Sequence, residues 1–334
     1  MRVAVVGLGA VGARAARQLA STASVDRVEL HDPRSERLDE VAASLGEPAV
    51  IGTTRSGEPP VADVVVLALP AGEHASAARR LVERGVPVVS TSDAMVDVKG
   101  LLDLGPEAEV RGVPVVVGAA FAPGLTCVLA RHAAAELDRV DEVHVARVGT
   151  GGPACAAQHH RALAGTALDW RDRGWARRAG GSGRELCWFP DPVGAADCYR
   201  AELPDALLLV EAFPGVQRVT ARLAANRRDR LTARLPMLRS PHPEGGPGAV
   251  RVEVRGRQGQ ARAVRVLGAM DRPAVAAGAV AAVAAVLAAE RQLLGDGAAG
   301  LAQFVQSVPF LTELSRRGVK VAAFSGSAPQ RTGG

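Results

Sequence analysis

Residues 3–12 read Val-Ala-Val-Val-Gly7-Leu-Gly9-Ala10-Val11-Gly12, a β-branched run that passes straight into the spacing G-x-G-x-x-G. The spacing predicts a strand, a tight turn and the first turn of a helix. Gly7 would permit the turn, Gly9 would leave room for backbone to approach a pyrophosphate, and Gly12 would let the helix pack closely on the strand. The amides at the helix start, among them those of Ala10 and Val11, would then face the pyrophosphate charge. A second apolar run ends at Asp32, 20 residues after Gly12. A carboxylate there accepts both hydroxyl hydrogens of an adenosine ribose, which favours NAD and repels a 2′-phosphate. Arg34 and Arg37 lie just beyond and could clamp that phosphate, which leaves NADP open. The plainer alternative is a strand-to-helix turn with Asp32 capping the next helix.

The rest of the first half agrees with a dinucleotide fold. Short β-branched runs at 3–6, 28–30, 64–69, 86–89 and 113–117 are each bounded by Gly, Pro, Asp or Ser. Helical spacing occupies 11–19, 36–45 and 74–83. Near-continuous apolar strands alternating with helices describe a parallel sheet covered on both faces, a doubly wound α/β domain of Rossmann type. Leu69 and Pro70, and Ser92 and Asp93 in Ser90-Thr-Ser-Asp93, end strands on the carboxyl edge, where ligands of such sheets bind.

The second half reads differently. Segments 140–148, 184–189, 216–224, 249–255 and 261–266 read as strands, the last two flanking a loop at 256–259. Pro273 stands where a first helical turn tolerates it, and an alanine-rich helix is predicted to run to about residue 294. An antiparallel sheet with a few helices, an α+β domain, is the expectation. The boundaries predicted are a dinucleotide-binding domain at 1–125, a substrate or dimerisation domain at 126–325 whose segment 273–325 packs back on the first, and a tail at 326–334.

Charge divides at about the same place. Residues 1–150 carry 15 basic and 20 acidic side chains, whereas 151–334 carry 25 and 15. Of the 40 basic residues only Lys99 and Lys320 are lysine, and aromatics make up 3% of the chain. Basic tails and basic runs interleaved with aromatics are absent, which argues against nucleic acid as a partner. The apolar stretch 274–289 is too short to span a bilayer and reads as a buried helix. Cys127, Cys155, Cys187 and Cys198 are too few for a disulfide scaffold, so a cytoplasmic location is expected, with no targeting segment and no membrane.

With the glycine loop, Asp32, Ser90-Thr-Ser-Asp93 and Ala120-Phe-Ala-Pro-Gly124-Leu in view, the chain resembles the saccharopine dehydrogenase-like family. Val264-Arg-Val-Leu-Gly268 before the alanine-rich helix and Pro309-Phe-Leu-Thr-Glu-Leu-Ser-Arg-Arg-Gly318-Val extend the resemblance over nearly the whole chain. It implies a two-domain oxidoreductase whose α+β domain holds an amino-acid-derived substrate. Members that form saccharopine carry an Asp before the Pro-Gly pair and a Gly three positions before the Pro, where this chain has Ala122 and Ala120. The resemblance therefore implies hydride transfer at a carbon–nitrogen bond, and not saccharopine as the substrate.

Candidate acid–base residues follow the loop Gly149-Thr-Gly-Gly-Pro153: His159 and His160 are adjacent, and on a helix they project about 100° apart, so at most one points straight into a cleft. A histidine there, with Asp93, could move a proton while a nicotinamide exchanges hydride. No metal site is predicted, because no Glu or Cys partner was found at ligand spacing. Trp170, Trp175, Trp188 and Tyr199 cluster within 30 residues, as a core, a pocket wall or a dimer contact. Residues 212–272 hold 13 arginines and 4 acidic residues, and one arginine among candidates such as Arg222, Arg251 and Arg262 could bind a substrate carboxylate. A small carboxylate-bearing substrate and a homodimer are the expected partners. The rival readings are a sugar or cyclitol dehydrogenase, which would want a Lys shortly after the fifth strand where Lys99 is displaced, and a non-catalytic NAD(P) sensor.

Overall fold

The computed structural model describes residues 1–47, 49–52, 60–237 and 241–324. Its first strands are β1 (Arg2–Val6), β2 (Arg27–His31), β3 (Ala49–Ile51), β4 (Val64–Leu67), β5 (Val88–Ser90) and β6 (Pro114–Val117). Between them lie α1 (Ala10–Ala20), α2 (Ser35–Leu45), α3 (His74–Val82), α4 (Met95–Leu102) and α5 (Gly105–Arg111), and α6 (Leu125–Ala134) follows. The second half supplies β7 (Arg139–Val148), β8 (Thr166–Arg171), β9 (Gly174–Ala179), β10 (Glu185–Trp188), β11 (Ala195–Tyr199), β12 (Arg218–Ala224), β13 (Gly248–Gln258) and β14 (Ala261–Asp271). Its helices are α7 (Pro153–Ala162), α8 (Asp205–Ala212) and α9 (Arg227–Thr232). Then come α10 (Pro273–Ala289), β15 (Gly297–Gly300), α11 (Leu301–Phe304), α12 (Ser307–Arg316) and β16 (Val321–Ala323).

The first sheet is parallel throughout, in the order β15-β6-β5-β4-β1-β2-β3. Strand β4, Val-Val-Val-Leu, is buried along its whole length, as a strand covered on both faces must be. The chain leaves β1 towards β2 and β3, then returns to the other side of β1 as β4. That reversal opens a crevice at the carboxyl ends of β1 and β4. The last strand of this sheet, β15, comes from near the end of the chain, and α10 packs against α1, β4 and β5. The approach of α10 to α1 is close: a Cβ at Gly278 would stand 2.6 Å from the Arg14 Cβ and 2.8 Å from the Ala15 nitrogen. Alanines flank it, so small side chains explain how the helix fits.

The second sheet runs β10-β11-β12-β7-β13-β14-β16, with β8 joining β12 and β9 pairing with β8. It is mixed and not purely antiparallel, because β12 runs parallel to β7, with Arg218 opposite Glu142. The expectation of an antiparallel sheet fails here for a topological reason. A long excursion through α7, the β8–β9 hairpin, β10, β11 and α8 separates β7 from β12, and such a connection allows a parallel return. The β13–β14 hairpin is also longer than the sequence suggested. Gln258 pairs with Ala261, so the turn falls at Gly259 and Gln260 and not at 256–259. At the other end of this region α10 stops at Ala289, short of residue 294.

The predicted tail at 326–334 lies outside the described residues. No helix among the described residues is long and apolar enough to cross a membrane. A single apolar cluster joins Val3, Val65 and Val116 of the first sheet to Val143, Val252 and Val254 of the second. The two sheets therefore share one core, with α6 buried against β13 and β14.

Candidate functional site

Strand β1 ends at Gly7, whose φ of +91° and whose distance to the Ala68 carbonyl oxygen, 2.4 Å from a would-be Cβ, admit no other residue without strain. Gly12 is equally confined, with the Gly7 carbonyl oxygen 1.8 Å from where a Cβ would stand. Gly9 differs. Nothing lies within 4 Å of its would-be Cβ, because that side faces the cleft. The pattern is the one a bound pyrophosphate requires: two glycines that close the backbone and one that keeps space for a ligand.

At the end of β2, Asp32 is buried and receives the Leu8 amide at 2.8 Å, the Arg34 amide at 3.0 Å and the Arg34 Nε at 2.8 Å. Burial alone would raise its pKa, but the Arg34 and Leu8 hydrogen bonds outweigh burial and hold it below the ordinary aspartate value. The Arg37 Nε donates to the Leu8 carbonyl at 2.7 Å. Asp32 thus stays ionised and ties the glycine loop to the second strand. Arg34 rests on it with a largely exposed side chain, free to move aside for a ribose or towards a 2′-phosphate.

The cleft between these loops, about 470 Å³, is bordered by Gly7, Gly9, Ala10, Val11, Asp32, Arg34, Leu69, Pro70, Ser92 and Asp93. Gly12 is the exception among the predicted cofactor residues, since it packs beneath the loop. Across the cleft the second half contributes Gly151, Gly152 and Cys155. Two buried groups that sequence reading overlooked fix the strand ends. His74 bonds Ser90 Oγ and the Leu69 carbonyl, each at 2.9 Å, and burial lowers its pKa. Asp97 accepts from Ser92 Oγ at 2.8 Å and from the Gly72 amide at 2.9 Å.

A smaller compartment, about 70 Å³, opens deeper in, lined among others by Val11, Asp93, Phe121, Arg147, Cys155, His159 and Ala277. Asp93 and Cys155 border both spaces, so they stand at the junction. His159 Nε2 lies 2.7 Å from Asp93 Oδ2 and 3.6 Å from Cys155 Sγ. Burial opposes protonation of His159, but its neighbours Cys155 and Asp93 override burial and bring its pKa up to about 9. Asp93 is held low in turn: burial opposes its ionisation, and His159 and Arg147 overcome that. His159 is therefore an imidazolium at neutral pH.

Arg147 is 3% exposed and reaches Asp93 at 3.4 Å, the Ala122 carbonyl, and Asp205 at 3.5 Å. Its Nε and Nη2 are buried with no hydrogen-bond partner. Asp205 is fully buried, which raises its pKa. Arg147, and not Arg222, Arg251 or Arg262, is the arginine of the inner compartment. Arg222 pairs with Asp169 at 3.1 Å and Arg251 with Glu253 at 2.5 Å, while Arg262 is exposed on the β13–β14 hairpin.

His160 is not brought to the site. One residue on from His159, it faces the other way, its Nε2 against the Thr232 and Leu235 carbonyls at 2.9 and 3.1 Å. The aromatic cluster does not line either space: Trp170 and Trp175 stack edge to face at 5.0 Å, Trp188 is exposed, and Arg230 lies 4.1 Å over the Tyr199 ring. Lys99 is exposed on α4, away from the cleft. A cysteine does stand at ligand spacing from His159, contrary to expectation. Cys155 and His159 stand four apart on α7, hence on one helix face, and converge with Asp93.

Comparison with known proteins agrees with this geometry over the first domain. Residues 1–118 match the GFO/IDH/MocA model, the oxidoreductase family with an NAD-binding Rossmann fold. This portion is a nicotinamide dinucleotide-binding domain, and the glycine loop and Asp32 fit that group. A myo-inositol dehydrogenase, Hyg17 of Streptomyces leeuwenhoekii, is 33% identical over 150 residues, which take in 42% of this chain and 43% of that protein. The chain thus matches less than half the length of this curated relative. Apo saccharopine dehydrogenase (L-Glu forming) from Saccharomyces cerevisiae superposes with a TM-score of 0.69 at 14% identity, over 97% of this chain and 100% of that one. The DAP dehydrogenase of C. glutamicum in complex with DAP gives 0.54 at 17% identity, over 94% and 95%. The whole-length resemblance to saccharopine dehydrogenase is therefore one of fold, whereas the sequence match runs to the GFO/IDH/MocA model and the inositol enzyme.

Proposed function

We propose that the chain is an NAD(P)-dependent dehydrogenase acting at a carbon–nitrogen bond of a small carboxylate-bearing substrate, with NAD preferred. The observation that carries this reading is the Asp93–His159 pair, 2.7 Å apart, at the junction of the dinucleotide cleft and the inner compartment. A bound nicotinamide would supply or accept the hydride. His159, protonated at neutral pH, would give a proton to the nitrogen of an imine, making its carbon the better hydride acceptor, and would take the proton back in the oxidative direction. The Asp93 carboxylate would stabilise the resulting cation, and Arg147 Nε, which has no hydrogen-bond partner, offers a donor to a substrate carboxylate. Gly9, Ala10, Val11 and Asp32, which border the cleft, would hold the diphosphate and ribose. The preference for NAD rests on Asp32, an ionised carboxylate at the ribose end.

The inositol dehydrogenase relative favours a second reading, oxidation of a secondary alcohol of a cyclitol. Against it stands Asp93 where a lysine would serve as proton acceptor. Steady-state assays with NAD⁺ and NADP⁺ on amino acids, and with the reduced cofactors on 2-oxo acids plus amines, test the first reading against a panel of polyols. Turnover of polyols alone would replace the first reading by the second. Tight dinucleotide binding with no turnover on either panel would overturn both.

A further inference from the structure

Three chemically different side chains meet at one atom of this site. His159 Nε2 faces both Asp93 Oδ2, at 2.7 Å, and Cys155 Sγ, at 3.6 Å, and the three donor atoms all lie within 4.8 Å of one another. A nucleophile–base–carboxylate relay has another geometry, with the carboxylate on one ring nitrogen and the nucleophile on the other. In this site both neighbours crowd Nε2, while Nδ1 is buried with no hydrogen-bond partner. Convergence of a sulfur, a nitrogen and an oxygen on one point is instead the geometry of metal ligation. Bonds of about 2.3 Å to sulfur and about 2.0 Å to nitrogen and oxygen give tetrahedral edges of roughly 3.5 Å between sulfur and nitrogen and roughly 3.3 Å between nitrogen and oxygen. The first matches the observed 3.6 Å. The second requires the hydrogen-bonded pair to open by roughly 0.6 Å once its shared proton has left.

We propose that Asp93, Cys155 and His159 bind one zinc-class divalent cation, with the fourth coordination position open to the cleft. A thiolate, an imidazole and a carboxylate select zinc or cobalt over magnesium and calcium. Binding releases the Cys155 thiol proton and the proton shared by His159 and Asp93 to solvent, and no electrons move. Arg147, 3.4 Å from the same Asp93 oxygen, weakens the site, and His159 Nδ1 lacks the outer partner that tight zinc sites use. The cation is therefore exchangeable. On the reading of His159 as proton donor, on which this consequence alone rests, cation and proton exclude one another and zinc inhibits reversibly.

Chelator-treated full-length protein titrated with Co²⁺ tests the site without reference to activity. One Co²⁺ per chain should bind with a sulfur-to-cobalt charge-transfer band in the near ultraviolet, displaced by Zn²⁺ and untouched by Mg²⁺. Cys155→Ser should abolish the band and His159→Asn should weaken binding by more than about tenfold. The double variant Cys187→Ser/Cys198→Ser should keep the band. Circular dichroism and thermal unfolding establish that each variant is folded. Absence of a stoichiometric band, its survival in Cys155→Ser, or its loss in the Cys187/Cys198 double variant overturns the proposal. NAD titration of the metal-free protein is scored separately, so failure of the dehydrogenase reading leaves the cobalt result standing.

Discussion

At the scale of the residue, the three glycines of the first loop separate fold from ligand. A methyl at Gly12 would press on the Gly7 carbonyl oxygen at 1.8 Å, backbone that cannot swing aside, so Gly12→Ala should cost about 3 kcal/mol of stability in urea denaturation. A methyl at Gly9 meets only the cleft. Gly9→Ala should therefore leave stability within about 0.5 kcal/mol of wild type. It should still lower NAD affinity by at least about tenfold, about 1.4 kcal/mol, in calorimetry. Asp32 gives a second contrast. Asp32→Asn removes the charge that repels a 2′-phosphate and releases Arg34, so the ratio of kcat/KM for NADP to that for NAD should rise by about tenfold or more. His159 carries a pH signature. Its pKa in the folded chain, about 9, lies above the ordinary value of 6.5, so its protonation stabilises the fold fully below 6.5 and progressively less as pH rises through 9. The stability gap between wild type and His159→Asn should accordingly shrink from about pH 6 to about pH 10. The same variant should lose about 10²–10⁴ in kcat with KM much less affected, as expected of a proton donor. His159 was legible as a candidate from its place after a glycine loop, but which of the two histidines faces inward depends on the rotation of α7. Arg147 left a fainter trace: it continues the alternation Val143, Val145, Arg147 on the buried side of β7, where an arginine is out of place without a partner or a ligand.

Among elements, those with local causes were legible and those with distant ones were not. Apolar runs bounded by turn residues located β1, β2, β4, β5 and β6 because the buried positions of a doubly covered strand are mostly apolar. The short β3 and the pair α4 and α5 carry too little pattern of their own. The parallel pairing of β12 with β7 leaves no mark at all, since register is decided by what β8 to β11 and α8 do between them. Helix α10 shows how composition encodes an interface: nearly all alanine, glycine and valine, it lies against α1 with Gly278 at the contact. Gly278→Val should cost about 1–3 kcal/mol by forcing the two helices apart, and should weaken NAD binding as well, because α1 begins at the pyrophosphate loop. A Gly278→Val protein of unchanged stability would show that the close approach is not tight.

For the molecule as a whole, the shared core predicts one cooperative unit. Trp170, Trp175 and Trp188 all belong to the second sheet region, whereas the dinucleotide contacts belong chiefly to the first. Saturating NAD at about 100 times its Kd should therefore delay tryptophan fluorescence unfolding by the full ligand contribution, about 2.7 kcal/mol. A fluorescence transition indifferent to NAD would mean that the two sheets unfold separately. The late strand β15 has a further bearing on how the protein comes into being. Synthesis runs from the amino terminus, yet the outermost strand beside β6 and the helix roofing β4 and β5 emerge only after residue 273. A nascent chain paused near residue 125 would hold the glycine loop and Asp32, with β4 and β5 uncovered where α10 later packs and β6 unpaired along its outer edge. Maturation of the nucleotide cleft thus waits for residues 273–300 to leave the ribosome, and chaperones that shield open sheets during that interval would be expected to govern its yield in cells.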